Sequence, residues 1–253
     1  MTKLKRMLTG MLARMVPREV KTWYRARRRG RNGAPPVGKV RFGSLKRKTP
    51  LSRWGFSRGQ PVDRYYIELF LSACKGDVRG HVLEVGDASY TRRFGEERVQ
   101  RSDVLHVTAG NPEATIVADL TIDGSLPADT YDCVICTQTL QQIYAVESAI
   151  TTLHGALKPG GVLLATVPGI SQIDRPAMEK WGDYWRFTTQ GLTQLFLRSF
   201  PEGCTSITAY GNVLTSTAFL YGLATEELSA DDLSYHDPDY QLLIAARAVK
   251  PIE

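Results

Sequence analysis

The sequence predicts an α/β fold with a doubly wound, mainly parallel β-sheet. From residue 80 onwards, short apolar segments typical of strands alternate with segments of helical periodicity, a pattern typical of parallel sheets covered by helices. A second observation is the turn Lys-Pro-Gly-Gly at residues 158–161, which ends a helix just before an apolar strand. Strands are predicted at residues 81–85, 104–108, 115–118, 131–136, 161–167, 206–210 and 241–248.

Three helices are predicted in the same region. Pro61 stands near the start of the first helix, in which Tyr66, Phe70 and Cys74 follow one another at i+4 spacing. The other two lie near residues 145–157 and 189–200. A chain of 253 residues is long enough for one large α/β domain and too short for two catalytic domains.

Charge divides the chain into two unlike parts. Residues 1–58 hold 18 Lys and Arg and a single acid, Glu19, whereas the rest holds 14 basic and 25 acidic residues. The net charge of +6 therefore comes from the N-terminal part. We predict a basic amphipathic extension and linker over residues 1–58 and one domain over 59–253. Frequent Gly and Pro in residues 30–60 indicate a linker or a draped arm.

An apolar stripe of helical spacing runs through the first residues, beside many basic ones. This composition fits an anionic membrane surface, contacted through residues 1–31, as well as it fits nucleic acid. A helix that is solvated or packs on itself and a cleaved targeting segment are the remaining alternatives. No apolar run reaches the roughly 18 to 20 residues that cross a bilayer. The stripe consists of Leu4, Met7, Leu8, Met11, Leu12 and Met15.

The cysteines favour a structural role in a reducing cytoplasm. Cys133 and Cys136 form a Cys-x-x-Cys pair inside an apolar strand, where alternation places the two thiols on opposite faces. No second pair or nearby histidine completes a metal site. We predict buried thiols, with a metal or redox role as the alternative.

Four segments follow one another in a family-specific order. They are Val-Leu-Glu-Val-Gly-Asp-Ala-Ser-Tyr at 82–90, an acid-ended strand at 114–120, Leu-Pro-Ala-Asp-Thr-Tyr-Asp-Cys-Val-Ile-Cys at 126–136, and Leu-His-Gly-Ala-Leu-Lys-Pro-Gly-Gly-Val-Leu-Leu at 153–164. In sequence and spacing this set resembles the class I methyltransferases that depend on S-adenosylmethionine (SAM). The resemblance implies a Rossmann-like, seven-stranded sheet with an antiparallel last strand, helices on both faces, and SAM at the carboxyl ends of the first strands.

The resemblance also implies the cofactor contacts. Gly86 forms the turn that admits the methionine part, and Asp119 accepts a hydrogen bond from the adenine amino group. Two features depart from the family pattern: Ala88 and Tyr90 replace glycines, and no acid ends strand two, where Asn111 is a substitute for the ribose-binding carboxylate. The predicted cofactor residues are Glu84, Gly86, Asp87, Ala88, Asp119, Leu120, Thr137, Arg64 and Tyr65.

A narrower resemblance covers residues 61–68, 181–188 and 210–214 as well. Together with the Glu-Val-Gly-Asp turn they are similar to methyltransferase-like proteins associated with bacterial glycosyltransferases, which implies a saccharide acceptor and a glycosyltransferase partner. Aromatic, acidic and basic side chains suit such an acceptor; a lid helix packed into the core is the alternative. The predicted acceptor residues are Trp181, Tyr184, Trp185 and Arg186.

The catalytic base is predicted from position alone. Asp183 lies among the acceptor residues, and His236 lies on an apparent loop. An amine acceptor would need no strong base.

These observations predict a cytoplasmic SAM-dependent methyltransferase for a sugar, nucleotide sugar or glycan intermediate, peripheral to the inner membrane. Its partners are then a small-molecule or glycan acceptor and a glycosyltransferase, without a metal. The first alternative is an inactive SAM-fold module that partners a glycosyltransferase. A nucleic-acid methyltransferase is the second, and the net −11 of the domain disfavours it.

Overall fold

The computed structural model of the protein describes Pro35 and residues 37–252. By their internal contacts, the residues divide into a unit that ends at Lys48 and a unit from Thr49 to Glu253. The first unit contains one turn of 3₁₀-helix, Gly43–Leu45. The amphipathic helix predicted near the N-terminus lies outside the described residues, and the predicted boundary after residue 58 stays a prediction.

A seven-stranded sheet forms the centre of the second unit. Its spatial order is β3-β2-β1-β4-β5-β7-β6. Neighbouring strands are parallel except that β7 is antiparallel to both β5 and β6, which confirms the predicted fold. The strands are β1 Gly80–Val85, β2 Val99–His106, β3 Ile116–Val117, β4 Tyr131–Thr137, β5 Leu157–Pro168, β6 Thr205–Tyr210 and β7 Leu243–Val249.

Six α-helices accompany the sheet in the described residues. The first, second and fourth confirm the sequence predictions, whereas the third, fifth and sixth were not predicted. The helices are α1 Val62–Ala73, α2 Val146–Ala156, α3 Arg175–Lys180, α4 Thr189–Phe196, α5 Val213–Leu220 and α6 Ala230–Ser234. No described helix is both long enough and apolar enough to span a membrane.

Each face of the sheet carries its own hydrophobic core. Side chains of α2 and α4 pack on one face, and those of α1, α5 and α6 pack on the other. Cys136 belongs to the first core and Cys133 to the second, as alternation along β4 requires. Burial raises the pKa of Cys133 and raises that of Cys136 to about 12, so both remain protonated thiols near neutral pH.

Residues 49–60 lie against α5 and the turn after it. The Leu51 amide donates to the Tyr221 carbonyl at 2.8 Å, and the Trp54 ring packs on Phe219 with centroids 5.7 Å apart. Gly55 has φ +95°, and a Cβ there would lie 2.8 Å from the Leu223 carbonyl oxygen, so this close approach requires glycine. Part of the predicted linker or arm is therefore ordered against the domain.

The strand order places a crevice at the carboxyl edge of the sheet. The direction in which successive strands are added reverses at β1, which lies between β2 and β4. Open α/β sheets bind ligands at such a switch point. The connection from β2 to β3, residues 107–115, contains no helix. That edge is therefore open beside β2 and β3.

Candidate active site

Two cavities lie at the carboxyl edge of the sheet, and Gln142 lines both. The larger has a volume of about 550 Å³ and is walled by the residues that follow β1, β2, β3 and β4. The smaller has a volume of about 240 Å³ and lies among α1, the loop after β4 and the residues after β5. Because they share a wall, two ligands could meet at Gln142.

Gly86 opens the larger cavity at the end of β1. Its φ is +100°, and an added Cβ would meet nothing within 4 Å, so the backbone is accessible to a ligand. The Asn111 amide donates to the Gly86 carbonyl at 2.6 Å. Asn111 thus holds the turn, instead of lining the cavity as the predicted substitute for a ribose-binding acid.

Glu84 fixes the same turn from inside the protein. Only 2% of it is exposed, and its carboxylate accepts from the backbone amides of Tyr90 at 3.1 Å and Thr91 at 2.6 Å. Burial raises the pKa of Glu84 to about 7. Asp87 is exposed and accepts from the Ser89 amide. Neither acid lines a cavity, and the buried Ala88 does not either.

Asp119 lines the larger cavity from the end of β3, next to the buried Leu120. Its Oδ1 accepts from the Thr121 amide and from the Thr121 hydroxyl, both at 2.8 Å. Its Oδ2 accepts no hydrogen bond from any described residue, which leaves it available to a ligand donor. Asp119 and Gly86, from separate motifs, therefore border one cavity.

Aromatic rings and a histidine complete the larger cavity. His106 lies at the end of β2, and its ring meets Trp181 edge-on with centroids 5.3 Å apart. Tyr184 packs edge-on against Tyr144, with centroids 5.5 Å apart. Trp181 and Tyr184 were predicted to contact the acceptor, but they line the cavity of Asp119.

Arg186 and Asp183 line the smaller cavity and bind each other. Two hydrogen bonds of 2.6 and 2.9 Å join the guanidinium to the carboxylate, and the Asp174 amide donates to Asp183 at 2.9 Å. The bonds from Arg186 lower the pKa of Asp183. A carboxylate held in this way is a weak base at neutral pH. Arg64 lines the same cavity and donates to the Tyr90 hydroxyl at 3.3 Å.

Four further predicted site residues line neither cavity. Thr137 ends β4, and Tyr65 packs edge-on against Tyr66. Trp185 donates to the Ile143 carbonyl at 3.0 Å, so the four predicted acceptor residues do not form one pocket. His236 packs against Tyr66 and Tyr210, its Nδ1 accepts from the Gly211 amide, and burial lowers its pKa.

Sequence reasoning missed several cavity residues. Trp54 lies in the segment predicted as a linker or arm, and Asp63 precedes the predicted Arg64 in the chain. Gln142 lies five residues after the predicted Thr137. The available signals were two aromatic residues in a basic segment, Trp54 and Phe56, and an acid in the first turn of a helix, Asp63. Neither signal indicates a cavity without tertiary contacts. Among the described residues, no group of three or more His, Cys, Asp or Glu could hold a metal ion.

The fold and the larger cavity define a Rossmann-like methyltransferase. Residues 62–200 match the family model described as a methyltransferase domain. This match covers more than half of the chain, and the chain belongs to that family. No curated protein matches its sequence.

Solved structures resemble this chain at low sequence identity. The [4+2]-cyclase SpnF is 15% identical, with a TM-score of 0.50 over 78% of this chain and 85% of that one. A SAM-dependent methyltransferase from Mesorhizobium loti is 17% identical, with a TM-score of 0.49 over 75% and 98%. The N-methyltransferase NodS from Bradyrhizobium japonicum, in complex with S-adenosylhomocysteine, is 16% identical, with a TM-score of 0.48 over 82% and 94%. The likeness to SpnF shows the fold alone.

The cofactor of this enzyme class is SAM, and the larger cavity fits its chemistry. The accessible backbone at Gly86, the free oxygen of Asp119 and the apolar wall at Leu120 offer contacts for a polar amino acid part, an amino group and an aromatic base.

Proposed function

We propose that this enzyme transfers the methyl group of SAM to a sugar, nucleotide sugar or glycan intermediate. The observation that carries the proposal is that Gly86 and Asp119 border one open cavity of about 550 Å³. In this proposal, the Gly86 turn receives the methionine part of SAM, and Asp119 accepts from the adenine amino group. SAM supplies an electrophilic methyl group, and the protein aligns the acceptor with it.

The saccharide acceptor is supported by the side chains at the carboxyl edge. Trp54 and Phe56 provide aromatic faces that suit sugar rings, and Arg186 and Asp183 provide hydrogen-bonding groups in the same cavity. The sequence resemblance to proteins associated with bacterial glycosyltransferases supports the same acceptor class. A glycosyltransferase partner, and work in polysaccharide biosynthesis at the cytoplasmic side of the membrane, belong to this proposal.

Isothermal titration calorimetry tests the cofactor site. We expect micromolar binding of S-adenosylhomocysteine by the full chain and a loss of at least about 50-fold in Asp119→Ala, because the adenine amino group loses a charged acceptor. Asp123→Ala is the matched control, since Asp123 is exposed and lines neither cavity. Equal affinity in both variants would refute the role of Asp119. If the unaltered protein gives no binding heat with millimolar SAM, the inactive module is favoured.

A further inference from the structure

The smaller cavity contains a carboxylate that the fold leaves unpaired. Asp63, the second residue of α1, lines the cavity; backbone amides of Asp63 and Arg64 lie beside its carboxylate, which forms no ion pair with any described residue. The other two acids of the cavity are paired: Asp174 with Arg53 at 2.9 Å and Asp183 with Arg186. Asp63 is therefore the acid that is free to accept from a ligand.

Buried amide oxygens in the same cavity also have no donor. Gln141 is 7% exposed, and its Oε1 has no partner among the described residues, although its Nε2 donates to the Gln138 carbonyl at 2.8 Å. The Oε1 atom of Gln172 is likewise buried without a partner. An unsatisfied buried acceptor destabilises the folded protein. Both glutamines line the cavity, and a ligand that brings hydrogen-bond donors satisfies these oxygens once it turns the side chains toward it.

The charges and shape of the cavity narrow the ligand class. Two arginines and three aspartates line it, so no excess positive charge attracts an anionic group. Trp54, Phe56 and Phe219 add aromatic surface, against which the apolar face of a ring can stack. A volume of about 240 Å³ suits a single ring and not an oligomer.

We propose that the smaller cavity binds the acceptor as a neutral, hydroxylated ring, and that Asp63 is the base that accepts the proton of the methylated hydroxyl. This inference rests on the proposed methyl transfer to a saccharide. The acceptor oxygen forms the new bond to the methyl carbon, and the carbon–sulfur bond breaks with its electron pair left on sulfur. The proton moves from that oxygen to the Asp63 carboxylate and then to solvent.

The surroundings of Asp63 suit proton transfer. Burial raises the pKa of its carboxyl group, and the neighbouring Arg64 opposes this effect. Tyr90, Asp174, Asp183 and Arg186 are the other titratable or charged groups around it. A base with a raised pKa accepts a proton more readily near neutral pH. We therefore expect the transfer rate to rise with pH until Asp63 is fully ionised.

Nuclear magnetic resonance of the full chain tests binding separately from activity. The indole signals of ¹⁵N-labelled tryptophan report on the larger cavity through Trp181 and on the smaller through Trp54. S-adenosylhomocysteine should shift the Trp181 signal; adding methyl hexopyranosides at millimolar concentration should then shift that of Trp54. Contact of a hydroxyl with Asp63 should also lower the titration midpoint of its ¹³C-labelled carboxyl.

Turnover of the same methyl hexopyranosides, measured as release of S-adenosylhomocysteine, tests the base. We expect Asp63→Asn to lower kcat about 100-fold without changing S-adenosylhomocysteine affinity, Asp63→Glu to restore part of it, and the exposed control Asp123→Asn to change nothing.

Each outcome decides the proposal. The proposal is overturned if no methyl hexopyranoside shifts the Trp54 indole signal or supports turnover. It is also overturned if only amino sugars support turnover, or if Asp63→Asn keeps the kcat of the unaltered protein. An absent Trp181 response to S-adenosylhomocysteine refutes the cofactor site instead, so the two failures are distinguishable.

Discussion

Glu84 shows how a motif residue can act through the backbone. The family resemblance predicts it as a cofactor contact, whereas in the structure its carboxylate binds the amides of Tyr90 and Thr91. Ala88 and Tyr90 replace two family glycines, and the buried Tyr90 ring packs against Phe94 with centroids 6.0 Å apart. These contacts, with the Asn111 amide, hold the Gly86 carbonyl and the turn in place without the extra glycines.

The raised pKa of Glu84 predicts a pH dependence of stability. Its pKa is about 7 in the folded protein against an ordinary 4.5, so its contribution is fully present below about pH 4.5 and is lost as pH rises through 7. The difference corresponds to about 3 kcal/mol. Denaturant unfolding should show that Glu84→Gln loses less stability between pH 5 and 8 than the unaltered protein.

Glu97→Gln provides the matched control, because Glu97 is exposed. It should keep the pH dependence of the unaltered protein. If Glu84→Gln shows the same slope as this control, the carboxyl group of Glu84 does not titrate near neutral pH.

Asp183 shows what residue types and spacing left open. Its place among aromatic and basic residues indicated a site, and the smaller cavity does contain it. Spacing alone did not reveal its two bonds to Arg186, because an i,i+3 pair in an irregular segment contacts only when the backbone bends suitably. The unpaired state of Asp63 depends in the same way on which cations the fold brings near it.

Helix α5 depends on the residue before its first turn. Asn212 is 5% exposed, and its side-chain oxygen accepts from the amides of Leu214 and Thr215. Its Nδ2 donates to the carbonyls of Asp232 and Tyr235, each at 2.7 Å. Asn212 thus joins α5 to α6 and to the turn after α6. It belongs to the segment 210–214, which resembles methyltransferase-like proteins associated with bacterial glycosyltransferases.

Replacing this cap should destabilise the domain. We expect Asn212→Ala to lower the free energy of unfolding by about 3 kcal/mol, because it removes the cap and leaves two buried carbonyls without donors. Asn212→Ser should cost less, since its hydroxyl keeps an acceptor for the amides at the start of α5. Chemical denaturation measures both changes. A loss below about 1 kcal/mol in Asn212→Ala would contradict this account.

The elements that were predicted are those with strong apolar patterns. β2 begins at Val99, five residues before its predicted start, because exposed residues such as Arg101 and Ser102 pair through their backbone with β1. Helix α3 has six residues and no buried side chain, so it has no apolar periodicity to detect. Its N-terminal cap, Asp174, is a local signal, but such caps also occur in turns.

The charge division of the whole chain predicts membrane contact through the extension. Residues 1–30 hold ten Lys and Arg, and each basic group near an anionic bilayer contributes about 1 kcal/mol. The full chain should co-sediment with phosphatidylserine vesicles at low salt, and a variant lacking residues 1–30 should bind at least about 100-fold more weakly. Neutral phosphatidylcholine vesicles and an unchanged affinity for S-adenosylhomocysteine are the controls. Retention of the truncated protein on anionic vesicles would refute this role.

The sequence by itself determined the order of the seven strands and of three helices, the class of fold, and the strand ends that carry Gly86 and Asp119, because these properties follow from local periodicity and short motifs. Only the tertiary structure decided that Trp181 and Tyr184 border the larger cavity, that Trp54 and Asp63 line the smaller one, and that Arg186 neutralises Asp183. Such contacts join residues far apart in the chain or depend on the bend of an irregular segment. Their burial and pairing, and therefore their chemistry, exist only once the sheet and its helices have packed.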